Sequence, residues 1–348
     1  MTPPPFSAAL SRFLVVAAVT AAASGLMGAV PAAAAEPAGT VDYVALGDSY
    51  AAGVGAGPEK GPCRVSDGAY PQLWAASDPG TVSLTSAACS GAVTADVRAK
   101  QLGSLGDDTD LVSITIGGND LGLIGAVRLC ADQGQAKACR TKLAAINKAL
   151  DTTLPRDLTR TLAAVAKKAP NAKLAIVGYP MPFADVADCS SLPLSRELRD
   201  AGNEAVAGVN RILAARAAAL RATYVDAARP YTGHGLCSAS PWLVGAEGLA
   251  AQTVLHPTLQ GQTAGQLSAL RDGVGTPKAV LAWIAERDRP AAGPSPAAPS
   301  AAAAPADGDG SPATAAGLWW IAGAALVLLA AGILAYRRLR PRGVAAAE

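Results

Sequence analysis

The chain is poor in aromatic residues, in histidine and in net charge. Aromatic residues make up only 4% of its 348 residues, and 29 basic residues balance 27 acidic ones, leaving a formal net charge of +2. This balance argues against the basic surface of a nucleic-acid-binding protein. The scarcity of aromatic rings argues against a base-stacking platform. Only two histidines are present, His234 and His256, so an imidazole base can come from just two positions.

Several common catalytic and cofactor motifs are also missing. The sequence contains no G-x-S-x-G nucleophile elbow, no H-E-x-x-H metal motif, no P-loop and no dinucleotide-binding glycine pattern. The cysteines form no C-x-x-C pair and have no histidine cluster beside them, which argues against a structural zinc site. We therefore expect neither a metal nor another cofactor.

The N-terminal segment has the pattern of an export signal. Arg12 precedes an apolar run, which is followed by the small residues "PAAAAEPAG". This order is typical of a signal peptide with a cleavage site of the A-x-A type. We predict a signal peptide over residues 1–35, cleaved after Ala35, with an uncleaved membrane anchor as the alternative.

The C-terminal segment predicts a membrane anchor. Residues 317–336 are uncharged and long enough to span a hydrocarbon core of about 30 Å. The basic segment 337–348 follows, and such charges stay in the cytoplasm. Residues 290–316 are rich in proline and alanine and predict a disordered stalk. Together with export, this predicts a single-pass cell-membrane protein whose body, residues 37–289, is extracellular; a buried core helix is the alternative for the span.

Six cysteines all lie within the predicted body. An even number in an exported protein favours disulfides, although six cysteines allow about 15 complete pairings. We favour the sequential set, because each bond then closes a local excursion between regular elements. The predicted pairs are Cys63–Cys89, Cys130–Cys139 and Cys189–Cys237.

The body alternates apolar runs with amphipathic stretches. The amphipathic stretches 141–169 and 193–220 carry apolar residues at helical spacing. Continuously apolar short runs are typical of parallel strands that are covered on both faces. The pattern predicts an α/β fold, a single doubly wound, flavodoxin-like parallel sheet flanked by helices, with its active site beyond the carboxyl ends of the strands. The predicted strands are residues 41–46, 81–87, 111–117, 172–178 and 222–227.

Four polar motifs follow these elements in order: "LGDSYAAG", "AACSGAVTADV", "ITIGGNDLG" and, near the end of the body, "TVLHPTLQGQTAGQ". Together they resemble the four blocks of the SGNH (GDSL-type) hydrolase superfamily, over about residues 41–270. The chain looks closest to secreted three-disulfide bacterial lipases and esterases. The resemblance implies an SGNH hydrolase fold and a carboxylic ester hydrolase that works through an acyl-serine intermediate.

Transferred to this sequence, the resemblance implies a role for each motif. Ser49 would be the nucleophile and His256 the general base. The backbone N–H groups of Ser49 and Gly91 and the side-chain amide of Asn119 would form the oxyanion hole. Each residue also has a structural alternative: a helix cap for Ser49, a turn for Gly91 and His256, and an Asx turn for Asn119. His234 is the only competing base.

The histidine motif departs from the family pattern. The family usually places an aspartate three residues before the histidine, where this chain has Thr253. A backbone carbonyl can instead accept the Nδ1–H of the imidazole and select its tautomer. We therefore predict that a carbonyl near Thr253 orients His256. A more distant carboxylate, Glu247 or Asp226, is the alternative.

Three functions are compatible with this pattern. We favour a monomeric esterase or lipase whose substrate is a lipid or an acylated small molecule or glycan, with the membrane as its partner through the C-terminal helix and with no nucleic-acid partner. The alternatives are a cell-surface polysaccharide deacetylase or deacylase, and a membrane-tethered, non-catalytic binding module. The complete set of candidate site residues argues against the binding module, because a degenerate site usually loses one of them.

Overall fold

The computed structural model describes residues 39–250 and 252–290. Among these residues, no helix combines the length and the apolar character needed to cross a bilayer. Four predicted segments lie outside the described residues, apart from Pro290 at the start of the stalk: the signal peptide (1–35), the stalk (290–316), the membrane-spanning helix (317–336) and the basic tail (337–348).

A five-stranded parallel sheet lies at the centre of the described chain. All five predicted strands are present, so the predicted parallel α/β sheet is confirmed. The strands of this sheet are β1 (Val41–Gly47), β4 (Val82–Ser86), β5 (Leu111–Thr115), β6 (Lys173–Val177) and β7 (Thr223–Val225), and a separate antiparallel hairpin consists of β2 (Glu59–Lys60) and β3 (Val65–Ser66).

The strand order explains where a site can form. The order is β4-β1-β5-β6-β7, which is the flavodoxin-like arrangement. The chain moves outward from β1 to β4 and then returns to place β5 on the other side of β1. At such a switch point the connections leave in opposite directions, so a crevice opens beyond the carboxyl ends of β1 and β5. Two of the four polar motifs follow these two strands.

Helices cover both faces of the sheet. On one face, Val44, Val112 and Ile114 pack with the helices of residues 123–220. On the other face, Tyr43 and Leu111 pack with the helices of residues 70–76 and 268–287. Burial on both faces is the reason for the continuously apolar strands. The helices are α1 (Ser49–Ala52), α2 (Tyr70–Ala76), α3 (Thr94–Asp96), α4 (Gly118–Leu121), α5 (Leu123–Ala131), α6 (Ala136–Asp151), α7 (Thr153–Lys168), α8 (Arg196–Leu220), α9 (Ser268–Val274) and α10 (Pro277–Arg287).

The predicted helical stretch 141–169 is divided in two. Helix α6 ends at Asp151 and α7 begins at Thr153. Pro155 lies in the first turn of α7, where its missing N–H is tolerated because that position has no intrahelical acceptor. Farther into a continuous helix, the same proline would remove a hydrogen bond and clash with the preceding turn.

Two segments, Val97–Gln101 and Gly261–Leu267, are π-helical, a feature that the sequence pattern did not predict. Each contains a glutamine with a buried side chain, Gln101 and Gln262. Such segments are rare in proteins and are often found at functional sites. Both glutamines bond to the turn that carries Ser49, as described below.

The three predicted disulfides are confirmed, with Cα–Cα distances of 4.2 to 4.9 Å. One joins the connection between β2 and β3 to the segment after β4, close to Gly91. Another connects the end of α5 to α6. No cysteine is free in the described part of the chain. The bonds are Cys63–Cys89, Cys130–Cys139 and Cys189–Cys237.

Candidate active site

The turn after β1 presents Ser49 as the first residue of α1. The strand ends at Gly47, whose φ is +124°, and a Cβ there would lie 2.2 Å from the carbonyl oxygen of Thr115. Only glycine fits this close approach of β1 to β5. Asp48 is the N-cap, since its carboxylate accepts the N–H of Tyr50 at 2.9 Å. Asp48, and not Ser49, therefore caps the helix, so the helix-cap alternative for Ser49 does not apply. The Ser49 hydroxyl has another partner.

That partner is His256. Its Nε2 lies 2.7 Å from Ser49 Oγ, although the two residues are 207 positions apart in the chain. Both are buried, with exposed fractions of 6% for Ser49 and 3% for His256. This distance is within the hydrogen-bond range required of a nucleophile and its base. The structure thus brings together the two residues predicted to act as nucleophile and base.

The competing histidine has different contacts. His234 Nδ1 lies 2.8 Å from the carbonyl oxygen of Ser240. Its ring stacks on Trp242, with ring centroids 3.6 Å apart and planes at 5°. These contacts describe a packed loop residue rather than a partner of Ser49.

His256 is held neutral by its surroundings. Burial is the main cause that lowers the imidazole pKa, to about 4, while the carbonyls of Thr253 and Val254 act in the opposite direction. Nδ1 is buried and makes no hydrogen bond to any described residue. The oxygen of Thr253 instead accepts the backbone N–H of His256 at 3.0 Å. We therefore regard these carbonyls as polar neighbours of Nδ1 rather than as its bonded partners.

The two carboxylates proposed as alternatives bond within their own turns. Glu247 accepts the N–H of Gly245 at 2.8 Å, and Asp226 accepts the N–H of Ala228 at 3.0 Å. Neither contributes to the shift in the His256 pKa, whose charged contributors are Arg64 and Glu59. The orientation of His256 by the Thr253 carbonyl thus remains a prediction, and other restraints on the base come into question.

The predicted oxyanion donors come from neighbouring loops. Asn119, in α4, lines the same cavity as Ser49, and its Nδ2 donates to the carbonyl of Ala92 at 3.1 Å. A side-chain amide has two N–H donors, and this bond uses one of them. Gly91 precedes Ala92, is exposed, and has a φ of +82°. Gly91 lines a separate surface depression. It is linked to Asn119 through Ala92, the next residue, whose carbonyl accepts the Asn119 amide.

Asp48 and Tyr179 connect the turn that carries Ser49 to the start of α4, which carries Asn119. The Tyr179 hydroxyl donates to Asp48 Oδ2 and accepts the N–H of Gly118 at 3.1 Å. Burial raises the pKa of Asp48 to about 7, although hydrogen bonds from Tyr179 and Tyr50 lower it. With a donor on each oxygen, Asp48 fastens the loops together, the structural role that a cap residue suggests.

Two glutamines hold the backbone around Ser49. Gln101 accepts the N–H of Gly47 at 2.8 Å and donates to its carbonyl oxygen at 2.9 Å. Gln262 accepts the N–H of Tyr70 at 2.9 Å and donates to the carbonyl of Tyr50 at 3.0 Å. Sequence analysis did not identify these residues. The only hint in the sequence was that each glutamine lies in a stretch that also contains residues expected to be buried.

An apolar pocket opens beside Ser49. It lies between α5, α6 and α8 and the segment after β6, and most of its lining is aliphatic or aromatic. Helix α5, which sequence analysis did not predict, supplies one wall. Such a pocket can receive a hydrocarbon group bound to an atom near Ser49. Representative lining residues are Leu123, Ile124, Val127, Leu143, Ile146 and Phe183.

The chain is similar in sequence to known lipases. Residues 45–264 match the GDSL-like lipase/acylhydrolase family. "Lipase 1" of Streptomyces coelicolor is 44% identical over 256 residues, which is 72% of this chain and 94% of that protein. A lipase of Streptomyces rimosus is 41% identical over 251 residues, which is 71% of this chain and 92% of that protein.

Solved structures show the same relationship. The extracellular lipase of Streptomyces rimosus has a TM-score of 0.64 at 41% identity and aligns with 67% of this chain and 100% of its own. A phospholipase A1 from Streptomyces albidoflavus has a TM-score of 0.62 at 37% identity, covering 67% of this chain and 99% of its own.

Proposed function

The chain belongs to the GDSL-like lipase/acylhydrolase family and is a serine ester hydrolase, and we propose that Ser49 and His256 carry out its reaction. The observation that most strongly supports this assignment is the 2.7 Å distance between Ser49 Oγ and His256 Nε2. The low pKa of His256 adds support, because only the neutral imidazole accepts a proton.

In the proposed first step, Ser49 Oγ attacks the ester carbonyl carbon while His256 Nε2 accepts the hydroxyl proton. The carbonyl oxygen becomes an oxyanion. The N–H groups of Ser49 and Gly91 and the Nδ2–H of Asn119 are the proposed donors to it. The Ser49 N–H is suited to this because the first turn of a helix has no preceding carbonyl to accept it.

The intermediate then loses its alcohol. The C–O bond to the alcohol breaks, His256 gives its proton to the departing oxygen, and the acyl group remains on Ser49. Water, deprotonated by His256, attacks the acyl-serine, and the same oxyanion donors act again. The carboxylic acid leaves as the proton returns to Ser49.

The apolar pocket supports an ester with an extended acyl chain. Each CH₂ of an acyl chain that is buried against these aliphatic side chains contributes about 0.8 kcal/mol. The aliphatic lining therefore favours a hydrocarbon acyl chain over the acetyl group of a polysaccharide. The relative titled phospholipase A1 makes phospholipids reasonable substrates to include. The Ser49–His256 pair likewise argues against a purely binding role.

The test is hydrolysis of p-nitrophenyl esters from acetate to palmitate, with a phosphatidylcholine vesicle assay alongside. We expect kcat/KM to rise as the chain lengthens beyond acetate, and a serine-directed phosphonate to label Ser49. Inactivity on every ester by a folded protein that is not labelled would contradict the proposal. Preference for acetyl esters would instead favour the deacetylase alternative.

The proposed base also predicts an unusual pH dependence. His256 must be neutral to accept a proton, and burial lowers its pKa to about 4 from the usual 6.5. Activity should therefore be lost as the pH falls through about 4, not through 6.5. The measurement is kcat/KM between about pH 3 and pH 8, with recovery at neutral pH to show that acid unfolding is reversible. The pKa of the nearby Asp48 is about 7, so the same profile is measured for Asp48→Asn; an acid limb near 6.5 that persists in this variant would contradict the assignment.

We further propose that the protein is exported and anchored as a monomer. Three disulfides support an oxidising compartment, and the segments 1–35 and 317–336 have the sequence pattern of a signal peptide and a span. N-terminal sequencing should begin at Glu36. The full chain should sediment with membranes and be released by detergent but not by salt; release by salt would contradict the anchor.

A further inference from the structure

The loop that carries His256 lacks the acidic partner that would usually orient the base, so another restraint is needed. The imidazole Nδ1 has no hydrogen bond among the described residues. An imidazole that is free to turn about its side-chain bonds would spend little time aligned with Ser49. Besides the nearby carbonyls of Thr253 and Val254, a restraint can act on the backbone of the loop or on the face of the ring.

Tyr50 contacts both the backbone of this loop and the face of the imidazole ring. It follows Ser49 directly in the chain, and its hydroxyl donates to the carbonyl oxygen of Leu255 at 2.7 Å. Leu255 immediately precedes His256. The Tyr50 ring also packs against the imidazole, with ring centroids 5.3 Å apart and planes tilted by 37°. One side chain thus bonds to the peptide that leads into the base and covers a face of the base itself.

The restrained residue has a conformation that needs support. Leu255 has a φ of +65°, in the left-handed region that branched apolar residues rarely adopt and that costs of order 1 kcal/mol or more. Its N–H donates to the carbonyl of Val244 at 2.8 Å, and Val244 donates in turn to the carbonyl of His256 at 2.9 Å. The Tyr50 hydroxyl donates to the carbonyl of Leu255, the other backbone polar group of this residue. Together these bonds hold the backbone on both sides of the base.

Tyr50 is itself held in place. Its backbone N–H donates to Asp48, its carbonyl accepts from Gln262, and its ring meets Tyr179 edge to face at 4.9 Å between centroids. It is therefore a rigid link between the nucleophile turn and the base loop.

We propose that Tyr50 is a positioning residue for His256, a histidine that lacks the usual acid three residues before it. Its hydroxyl fixes the Leu255 carbonyl and its ring fixes the plane of the imidazole, which keeps Nε2 aligned with Ser49 Oγ. The proposal rests on the proposed function of Ser49 and His256. It assigns Tyr50 no contact with the reacting atoms.

The test compares Tyr50→Phe with Tyr43→Phe. Both changes remove one hydroxyl that makes a 2.7 Å hydrogen bond, but Tyr43 bonds to Ser113 in the core, away from His256. For p-nitrophenyl butyrate we expect Tyr50→Phe to lower kcat by roughly 10- to 100-fold with KM nearly unchanged. Tyr43→Phe should change neither, at a similar loss of thermal stability. Placing 4-aminophenylalanine at position 50, which restores a donor on the same ring, should recover most of the lost kcat.

A second readout does not depend on turnover. The chain has only two histidines, so NMR titration of their ring protons, assigned with His234→Gln, follows His256 directly. In Tyr50→Phe the loosened loop should admit water and move the His256 pKa upward from about 4. The charged groups that influence this imidazole, Arg64 and Glu59, are unchanged. Tyr43→Phe should leave the titration as in the unmodified protein.

The outcomes separate the two proposals. Equal kcat and equal His256 titration in Tyr50→Phe and the unmodified protein would overturn the positioning role and leave the proposed function intact. A shifted titration in a protein that hydrolyses no ester would support the restraint and overturn the proposed function. Failure of Tyr50→Phe to fold, while Tyr43→Phe folds, would assign the hydroxyl to the fold and overturn the proposal.

Discussion

Ser49→Ala is expected to lower kcat for ester hydrolysis by roughly 10⁵- to 10⁶-fold, the scale found when a serine nucleophile is removed. The reason is that Oγ is the atom that forms the proposed acyl bond, and alanine has no atom in its place. The folded state should be nearly unaffected, because the lost side-chain hydrogen bond is the one to His256. The measurements are kcat on p-nitrophenyl butyrate and the thermal unfolding midpoint.

A matched control is available on the neighbouring strand. Ser86 ends β4, and its hydroxyl is buried without a hydrogen-bond partner among the described residues. Ser86→Ala therefore removes a comparable atom away from the Ser49–His256 pair and should leave kcat within about twofold of the unmodified protein. Residual activity of Ser49→Ala above about one hundredth of normal would exclude Ser49 as the nucleophile.

His256→Gln is expected to lower kcat by a similar factor, roughly 10⁵-fold. Glutamine preserves much of the volume and can still hydrogen-bond to Ser49 Oγ. Its amide does not accept a proton near neutral pH, so the hydroxyl would have to attack without a base. Because the two residues act as a unit, the double variant Ser49→Ala/His256→Gln should be no slower than either single variant.

His234→Gln is the control for this prediction, since these are the only two histidines. His234 is stacked on Trp242 and bonded to a loop carbonyl. Its replacement should cost some stability of that loop and leave kcat within a few-fold. If His234→Gln abolished turnover in a folded protein while His256→Gln did not, the assignment of the base would be reversed.

Most of the strands could be predicted because they are short runs buried on both faces; the edge strand β4 instead alternates half-buried and exposed residues. Runs buried on both faces are continuously apolar, and their positions and parallel arrangement followed from that pattern. Helix α5 was not predicted. It is only nine residues long and apolar over most of its length, so its periodicity does not distinguish helix from strand. The π-helical segments also have no distinct local pattern.

The cysteine pairing could be predicted for a related reason. Each bond joins cysteines that are only 9 to 48 residues apart, and no bond spans another. Local closure costs less chain entropy than distant closure, so a sequential pairing was the natural prediction. The three bonds in the structure follow it.

The contacts that hold His256 and Ser49 in place could not be predicted in the same way. The sequence shows Thr253 where an acid is usual, but nothing near it in the chain points to Tyr50, which bonds to Leu255 across 205 positions. Gln101 and Gln262 likewise bond to the turn that carries Ser49, across 54 and 212 positions. These contacts depend on strand order and on loop conformation together.

By itself, the sequence determined which chemical groups are available and on which strand ends they stand, because motif and burial pattern are local properties. The positive φ of Leu255 and the long-range bonds of Tyr50, Gln101 and Gln262 were decided only by the tertiary structure. The physical reason is that local preferences amount to about 1 kcal/mol per residue. Packing and hydrogen bonds between distant segments are strong enough to override them, and these distant contacts are what bring Ser49 Oγ to within 2.7 Å of His256 Nε2.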